Sequence, residues 1–218
     1  MIIFDNVVKK YEGETAPVIN GFSERIEDGE FLILTGESGS GKTTLIRLLM
    51  KEIEPDSGNI TVGSYVLKDI KKKRIPEYRR DIGVVFQDFR LFSEYSVYGN
   101  LELTLSLTGG NRSSSEEKIT NVLTMLGLDH LHRRYPKELS GGEQQKVCIA
   151  RAIINNPKVL LADEPTGNLD PLSSAGIAKL FSIIHRQGIT VVLATHDKEL
   201  IEELKSEARI ISLEKKQT

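Results

Sequence analysis

One stretch near the N-terminus decides the fold class, and it reads Phe31-Leu32-Ile33-Leu34-Thr35-Gly36-Glu37-Ser38-Gly39-Ser40-Gly41-Lys42-Thr43-Thr44. Its first part is apolar and ends at a glycine, which predicts a buried β-strand over residues 31–35. Residues 36–43 match the pattern G-x-x-x-x-G-K-[ST] at every fixed position. Residues 45–51 then have the composition of a helix. A strand, a glycine-rich loop and a helix in this order predict a phosphate-binding loop.

The glycine-rich loop predicts binding of nucleotide phosphates. Glycine lets the backbone approach phosphate oxygens closely, so that several N–H groups and the helix N-terminus point at the anion. Lys42 would reach the β- and γ-phosphates, and the Thr43 hydroxyl would hold Mg²⁺. The alternative, a glycine-rich turn that merely contains a lysine, is disfavoured by the flanking strand and helix. The candidate nucleotide-binding residues are Gly36, Glu37, Ser38, Gly39, Ser40, Gly41, Lys42, Thr43 and Thr44.

Two adjacent carboxylates, Asp163 and Glu164, follow the apolar run at residues 159–162. Two ionised acids at the end of a buried strand require a cation or a shared proton to balance them. Asp163 would orient the Mg²⁺ shell, and Glu164 would polarise the attacking water as general base. A solvated acid pair at a strand end is the alternative. The phosphate loop upstream favours the catalytic interpretation.

A second glycine-containing segment, Leu139-Ser140-Gly141-Gly142-Glu143, precedes an amphipathic stretch over residues 146–155. It predicts another helix N-terminus suited to an anion. The alternative is an ordinary helix cap at Ser140.

Composition and charge exclude several functional classes. The chain has 218 residues, which suits one domain with a buried core. Its 29 basic and 31 acidic residues give a formal charge of −2, which argues against binding nucleic acid over the whole surface. No apolar run approaches the roughly 20 residues of a membrane span, and no secretory signal is visible. One cysteine excludes an intramolecular disulfide and fits a reducing compartment.

Strand signals occur at both ends of the chain, and helical signals occur in the middle. Short apolar segments rich in β-branched residues predict strands at residues 2–8, 31–35, 82–86, 159–162, 190–194 and 209–213. Residues 88–156 are mostly helical in pattern, with a flexible polar linker predicted at 109–115. The residues that share one face of a helix after this linker are Ile119, Val122, Leu123 and Leu126. We therefore expect an α/β sheet domain with a helical insertion.

Together these motifs resemble the nucleotide-binding subunits of ATP-binding cassette (ABC) ATPases. The family signature is L-S-G-G-Q, and Glu143 stands where Gln is usual. The resemblance implies an α/β P-loop NTPase, an ABC ATPase fold in which a RecA-like core carries an N-terminal antiparallel β subdomain and an inserted helical subdomain. It also implies one ABC ATPase domain over residues 1–218. Its core and β subdomain would be residues 1–87 and 157–218, and its helical signature subdomain residues 88–156.

Four further residues match the family pattern in order. Tyr11 is at the position of the aromatic that stacks on adenine, and Gln87 matches the glutamine that contacts Mg²⁺ and the attacking water. Asp170 matches the loop after the acidic pair, and His196 matches the histidine that contacts the γ-phosphate. The predicted catalytic residues are therefore Glu164, His196 and Gln87, and the predicted metal-binding residues are Thr43, Gln87 and Asp163.

Each of these four residues has another interpretation when it is taken singly. Tyr11 would be a surface aromatic, Gln87 a turn residue and Asp170 a helix cap. His196 would be a hydrogen-bonded partner of Asp197. Their joint order and spacing favour the family pattern.

Within the family, the chain resembles most the branch of the cell-division ATP-binding proteins FtsE. The discriminating segment is Gln87-Asp88-Phe89-Arg90-Leu91, and Gly99 departs from the branch, where Glu is usual. The resemblance implies an integral membrane subunit resembling FtsX and, through it, control of cell-wall hydrolases. A cytoplasmic helix of that subunit would dock near Phe89, Leu91, Phe92 and Tyr98. The apolar residues of this segment, for which core packing is the alternative, are Phe89, Leu91, Phe92, Tyr95, Val97 and Tyr98.

In this family the signature of one subunit completes the phosphate site of another. One phosphate loop and one signature per chain therefore imply a homodimer that holds two ATP molecules at its interface. The groups around each γ-phosphate would be Lys42 of one chain and Ser140, Gly141 and Gly142 of the other. The resemblance implies ATP and Mg²⁺ as cofactors, no nucleic-acid partner, and a peripheral position on the cytoplasmic face of the inner cell membrane.

Three other functions remain open at this level. The chain could be the ATPase of a lipoprotein-release or macrolide-type exporter, which shares most of these motifs. It could be an ABC ATPase of translation or DNA repair, although such proteins usually carry two cassettes or a long coiled coil. A nucleotide-sensing module with negligible turnover is disfavoured by the intact Glu164 and His196.

Overall fold

The computed structural model describes residues 1–108 and 112–214, and its elements follow the predicted α/β order. The strands are β1 (Ile2–Lys9), β2 (Ile19–Ile26), β3 (Phe31–Thr35), β4 (Ser57–Val62), β5 (Tyr65–Val66), β6 (Ile82–Val85), β7 (Val159–Asp163), β8 (Thr190–Ala194) and β9 (Arg209–Ser212). The α-helices are α1 (Lys42–Leu49), α2 (Ile75–Arg80), α3 (Val97–Leu107), α4 (Arg112–Met125), α5 (Gly141–Ile153), α6 (Pro171–His185) and α7 (Lys198–Leu204).

A parallel sheet with the strand order β6-β7-β8-β3-β9 forms the centre of the fold. Its central strands are apolar along most of their length, because a parallel sheet is covered on both faces. Along β3, Phe31 and Ile33 belong to one apolar cluster, while Leu32 and Leu34 belong to the other. The order places the carboxyl ends of β7, β8 and β3 side by side. All five strands of this sheet were predicted from the sequence to within one residue at each end.

An antiparallel sheet with the order β2-β1-β4-β5 packs beside it. Only β1 has a clear strand signal, because β2 and β4 are rich in polar residues and glycine. The strand pattern therefore missed β2, β4 and β5, and this sheet was expected only from the family resemblance. Gly58 permits the close pairing of β4 with β1, since an added Cβ would lie 2.3 Å from the carbonyl oxygen of Asn6.

The middle of the chain is helical, as predicted, and packs against the parallel sheet through α5 and β6. In α4, Ile119 and Leu123 are buried and Val122 is partly buried, so the predicted apolar face is confirmed. The linker predicted at 109–115 is wrong from residue 112 onward, because α4 begins there. The rest of that prediction, residues 109–111, lies outside the described residues.

The apolar segment that follows β6 and reaches into the start of α3 is only partly an exposed patch. Phe92 and Tyr95 are 44% and 46% exposed. Val97 is fully buried, so the core-packing alternative holds there. The remaining three residues are half-buried against the core, namely Phe89, Leu91 and Tyr98. The exposed apolar area of this segment is therefore smaller than its sequence predicts.

The helices agree with the expectation that no segment is long and apolar enough to span a membrane. Over the described part of the chain, every helix is too short or too polar to span a bilayer.

Cys148 is buried in α5, and burial raises the pKa of its thiol to about 12. This thiol is therefore protonated and packs as a small apolar side chain.

Candidate functional site

The phosphate loop folds around the side chain of Lys42, which begins α1. The Lys42 Nζ donates hydrogen bonds to the carbonyl oxygens of Gly36 at 2.8 Å and Glu37 at 3.3 Å. Gly41 must be glycine, since its φ is 100° and an added Cβ would lie 2.5 Å from Ile19 Cδ1. The loop therefore holds a buried ammonium group at the end of β3.

A cavity of about 560 Å³ above this loop brings most of the predicted site residues together. Its lining residues are Tyr11, Val18, Glu37, Ser38, Gly39, Gly41, Lys42, Thr43, Thr44, Gln87, Glu164 and His196. The Tyr11 hydroxyl lies 3.3 Å from Thr44 Oγ1. Gly36 and Ser40 belong to the loop but not to the cavity lining. Within the described part of the chain, the buried Ser40 hydroxyl has no hydrogen-bond partner.

Asp163, the last residue of β7, is connected to the phosphate loop. The Thr43 hydroxyl donates a hydrogen bond to Asp163 Oδ1 at 3.0 Å. Burial raises the pKa of Asp163 above its ordinary value, the Thr43 hydrogen bond opposes this, and the neighbouring Glu164 charge adds to it. A buried carboxylate with a raised pKa is stabilised by a nearby cation. The pair of oxygen ligands fits Mg²⁺, which binds one or two carboxylates together with substrate phosphates.

Glu164 is held by contacts to both of its carboxylate oxygens. Its Oε2 accepts hydrogen bonds from the Thr195 hydroxyl at 3.1 Å and from the backbone N–H of His196 at 3.2 Å. Its Oε1 lies 2.7 Å from His196 Nδ1 and 3.5 Å from Lys42 Nζ. The backbone of Glu164 is left-handed, with φ at 47°. Such strain at a non-glycine residue is typical of catalytic positions.

The contacts of His196 distinguish between its two interpretations. Its ring contacts Glu164, whereas the Asp197 carboxylate caps α7 and accepts a hydrogen bond from the Thr166 hydroxyl at 2.7 Å. His196 is therefore not the partner of Asp197. Sequence reasoning missed Thr195, a buried hydroxyl whose position directly before His196 is the only signal of its role.

Besides Gly36, Ser40 and Asp163, four predicted site residues do not line the cavity, namely Ser140, Gly141, Gly142 and Asp170. Ser140 caps α5 by accepting a hydrogen bond from the Glu143 N–H, while the Glu143 carboxylate accepts one from the Ser140 N–H at 2.8 Å. Asp170 caps α6 by accepting a hydrogen bond from the Ser173 N–H at 3.0 Å. Both helix-cap alternatives therefore hold in this chain. The signature and the phosphate loop form two separate groups on one chain.

The similarity to known proteins extends over nearly the whole chain. Residues 19–167 match the family described as ABC transporter. The cell division ATP-binding protein FtsE of Streptococcus pneumoniae serotype 2 is 46% identical over 209 residues, which cover 96% of this chain and 90% of that protein. FtsE of Bacillus subtilis strain 168 is 44% identical over 214 residues, which cover 98% of this chain and 92% of that protein.

A solved structure of an ATP-binding cassette has the same fold as this chain. It is described as the dimeric structure of a post-hydrolysis state of the ATP-binding cassette MJ0796 bound to ADP and Pi. Its TM-score to this chain is 0.86 at 32% identity, covering 100% of this chain and 97% of that one. The predicted fold class is confirmed.

The raised pKa of Asp163 predicts a pH-dependent gain in stability for Asp163→Asn without nucleotide or Mg²⁺. The Asp163 carboxyl group holds its proton more tightly in the folded chain than in the unfolded chain. The contribution of Asp163 to stability therefore falls as the pH rises from the pKa of Asp163 in the unfolded chain to its pKa in the folded chain. Asp163→Asn should therefore unfold at a higher temperature than the parent at pH 7. The difference should vanish as pH falls below about 4, the ordinary range of Asp. Thermal unfolding followed by circular dichroism across this range measures it.

Asp170→Asn is the matched control with the opposite sign. Hydrogen bonds from the Ser173 side chain and backbone lower the pKa of Asp170, so this carboxylate stabilises the fold above its unfolded pKa and loses that effect in acid. Asp170→Asn should unfold at a lower temperature than the parent at pH 7. A lower unfolding temperature for Asp163→Asn at pH 7 would contradict the assigned burial of that carboxylate.

Proposed function

Because the chain belongs to the ABC transporter family, and within it to the branch of the cell-division ATP-binding proteins FtsE, we propose that it binds and hydrolyses ATP to drive or gate a separate membrane protein. The observation that carries this proposal is the position of Glu164 in the phosphate-loop cavity. Its carboxylate lies between the Lys42 ammonium and the His196 ring. A nucleotide-sensing module would not require an acid held in a strained backbone at this point.

Glu164 acts as the general base in this proposal. The Thr195 hydroxyl and the His196 N–H orient one carboxylate oxygen. The other oxygen faces Lys42, which would turn toward the phosphate when nucleotide binds. That oxygen is then free to accept a proton from the attacking water, and Gln87 at the edge of the same cavity orients this water. His196 stays next to both the base and the γ-phosphate.

Mg²⁺ is the metal that the residues present fit. Thr43 and Asp163 would hold it, with Gln87 as a further oxygen ligand, and the ion would neutralise charge that develops on the phosphates. The Thr43–Asp163 hydrogen bond of 3.0 Å keeps these two oxygen ligands adjacent. Tyr11 lines the same cavity and would stack on the adenine ring.

A dimer completes the site in this proposal. MJ0796 is described as dimeric with ADP and Pi, and it has the same fold over the whole chain. The signature group of one chain, with Asp170 beside it, would reach the γ-phosphate held by Lys42 of the other. The Ser140 hydroxyl and the first N–H groups of α5 supply donors for this anion. ATP would therefore hold two copies together, and hydrolysis would weaken the contact between them.

A cleft next to Phe92 is the proposed docking site for the membrane subunit. It has a volume of about 440 Å³ and lies where α2, β6, α3 and α5 meet. Phe92 and Leu107 give it an apolar wall, and Arg79 and Arg80 a basic one. A cytoplasmic helix of an FtsX-like subunit would fit such a cleft by its apolar face.

Docking of this kind would place the chain as a peripheral subunit on the cytoplasmic face of the cell membrane. We propose the bacterial division complex as its setting because both FtsE relatives named above match it over more than nine-tenths of its length. Control of cell-wall hydrolases would then pass through the membrane subunit.

Glu164→Gln should abolish hydrolysis and leave nucleotide binding intact. The amide cannot take a proton from water, so turnover should fall by at least about 100-fold, the lower range for a lost general base. Because the amide keeps the shape of the side chain, ATP should still bind and drive dimerisation. Phosphate release measures the first effect, and light scattering with and without ATP measures the second.

Glu116→Gln is the control, since Glu116 is an exposed residue of α4. Its turnover should match that of the parent chain. Unimpaired turnover in Glu164→Gln would remove the assignment of the base.

Phe92→Ser combined with Tyr95→Ser should weaken binding of the membrane subunit. Both side chains are exposed, so the change removes apolar contact area and leaves the core intact. The tagged chain is purified from solubilised membranes, and the protein that accompanies it is identified by mass spectrometry. We expect an FtsX-like subunit with the parent chain and much less of it with the variant.

Ile183→Ser is the matched control, because Ile183 is an exposed apolar residue of α6 outside the cleft. It should retain the membrane subunit. Equal recovery with both variants would contradict the docking site. Recovery of a transporter with many membrane spans would favour the exporter function instead.

A further inference from the structure

Residues 86–92 connect the nucleotide cavity to the docking cleft. Gln87 lines the cavity, and Phe92 lines the cleft. The Gln87 carbonyl oxygen accepts a hydrogen bond from Asn168 Nδ2 at 2.9 Å, so one end of this segment is fixed to the loop after the acid pair. The backbone between Gln87 and Phe92 therefore determines where the Gln87 side chain can lie.

That backbone is strained at two consecutive residues. Phe89 has φ at 56° and Arg90 at 50°, and both belong to the left-handed region. In this region Cβ approaches the following carbonyl oxygen too closely, so residues other than glycine adopt it rarely and mostly one at a time. Two such residues in a row persist only when surrounding contacts hold them.

Arg151 in α5 provides the main contact of this kind. Its Nη2 donates a hydrogen bond to the Phe89 carbonyl oxygen at 3.0 Å, and its Nη1 donates one to the Arg90 carbonyl oxygen. The planar guanidinium thus bridges the two carbonyls of the strained pair. The Cys148 thiol, one turn earlier in α5, adds a weaker hydrogen bond to the Phe89 carbonyl oxygen at 2.9 Å.

The charge of Arg151 is not balanced by an acid. Among the described residues its guanidinium forms no ion pair, and burial lowers its pKa. Its other close contact is the Phe92 ring, whose centroid lies 5.8 Å away. Because a partly buried cation without a carboxylate is unfavourable, its placement here points to a role in holding the segment.

We propose that Arg151 is a positioning residue for hydrolysis, which fixes the left-handed backbone of Phe89 and Arg90 and thereby presents Gln87 to the nucleotide. This inference rests on the proposed function, since it requires Gln87 to act on bound ATP. Arg151 does not line the nucleotide cavity, so it acts through the backbone and not by contact with substrate.

The first test replaces Arg151 in the full-length chain. Arg151→Gln should lower kcat by about 10- to 100-fold, as small displacements of positioned groups do. The affinity for ATP, measured by nucleotide titration, should stay within about twofold, because the phosphate loop is untouched. Arg151→Lys should also lose activity, since one ammonium group cannot replace the bidentate hydrogen bonding of the guanidinium to the two carbonyl oxygens. Arg133→Gln changes an exposed arginine outside α5 and outside residues 86–92, and it should behave as the parent chain.

The second test asks whether the strained backbone is the cause of the loss. Glycine adopts the left-handed region without steric cost, so Arg90→Gly should raise the kcat of Arg151→Gln toward that of Arg90→Gly alone. A merely structural role of Arg151 would not be rescued in this way. Hydrogen exchange of residues 86–92 should be faster in Arg151→Gln, and Arg151→Lys serves the same comparison if the glutamine variant does not fold.

Two outcomes would overturn the proposal. One is an unchanged kcat in both Arg151 variants. The other is a parallel loss of kcat and ATP affinity that Arg90→Gly does not restore. Failure of the proposed function would be a separate result. It would appear as unimpaired turnover in Glu164→Gln, a variant in which Arg151 is unchanged.

Discussion

The ion pair between Lys42 and Glu164 depends on the order of three parallel strands, and most of the candidate site depends on that pair. Lys42 follows the loop after β3, Glu164 follows β7, and His196 follows β8. Because the sheet order is β7-β8-β3, the carboxyl ends of these strands are neighbours. Ligands of open α/β sheets bind at such carboxyl ends. The sheet therefore brings together three groups that are more than 100 positions apart in sequence at their extremes.

The nucleotide-free site contains unfavourable features that a bound ligand would relieve. Asp163 is a partly buried acid with a raised pKa, and Glu164 has a left-handed backbone. Among the described residues, the buried Ser40 hydroxyl has no hydrogen-bond partner. Each is unfavourable for folding, and each faces or adjoins the position where phosphate and Mg²⁺ would bind. The surrounding apolar clusters on both sides of the sheet compensate for these features. Nucleotide binding thus accounts for these three destabilising features, which selection for stability alone would not retain.

The sequence predicts the parallel sheet and the phosphate loop well, because both depend on local patterns. Apolar runs identify β3 and β7 directly, and the glycine spacing identifies the loop. The antiparallel sheet is different, because β2 and β4 are polar on one face and are held as strands by pairing with β1. Thr195 and Arg151 were not identified either, since their roles come from contacts to residues 31 and 61–62 positions away. Such contacts have no local signal.

The central claim is that one chain supplies the phosphate loop and another the signature for each site, and mixing two inactive variants tests it most directly. Lys42→Ala and Ser140→Arg should each have little turnover alone, because every site in either homodimer lacks one half. A mixed dimer contains one site with both halves intact, so an equal mixture should recover about a quarter of the parent turnover. A mixture that hydrolyses ATP no faster than the separate variants would contradict a site shared between two chains.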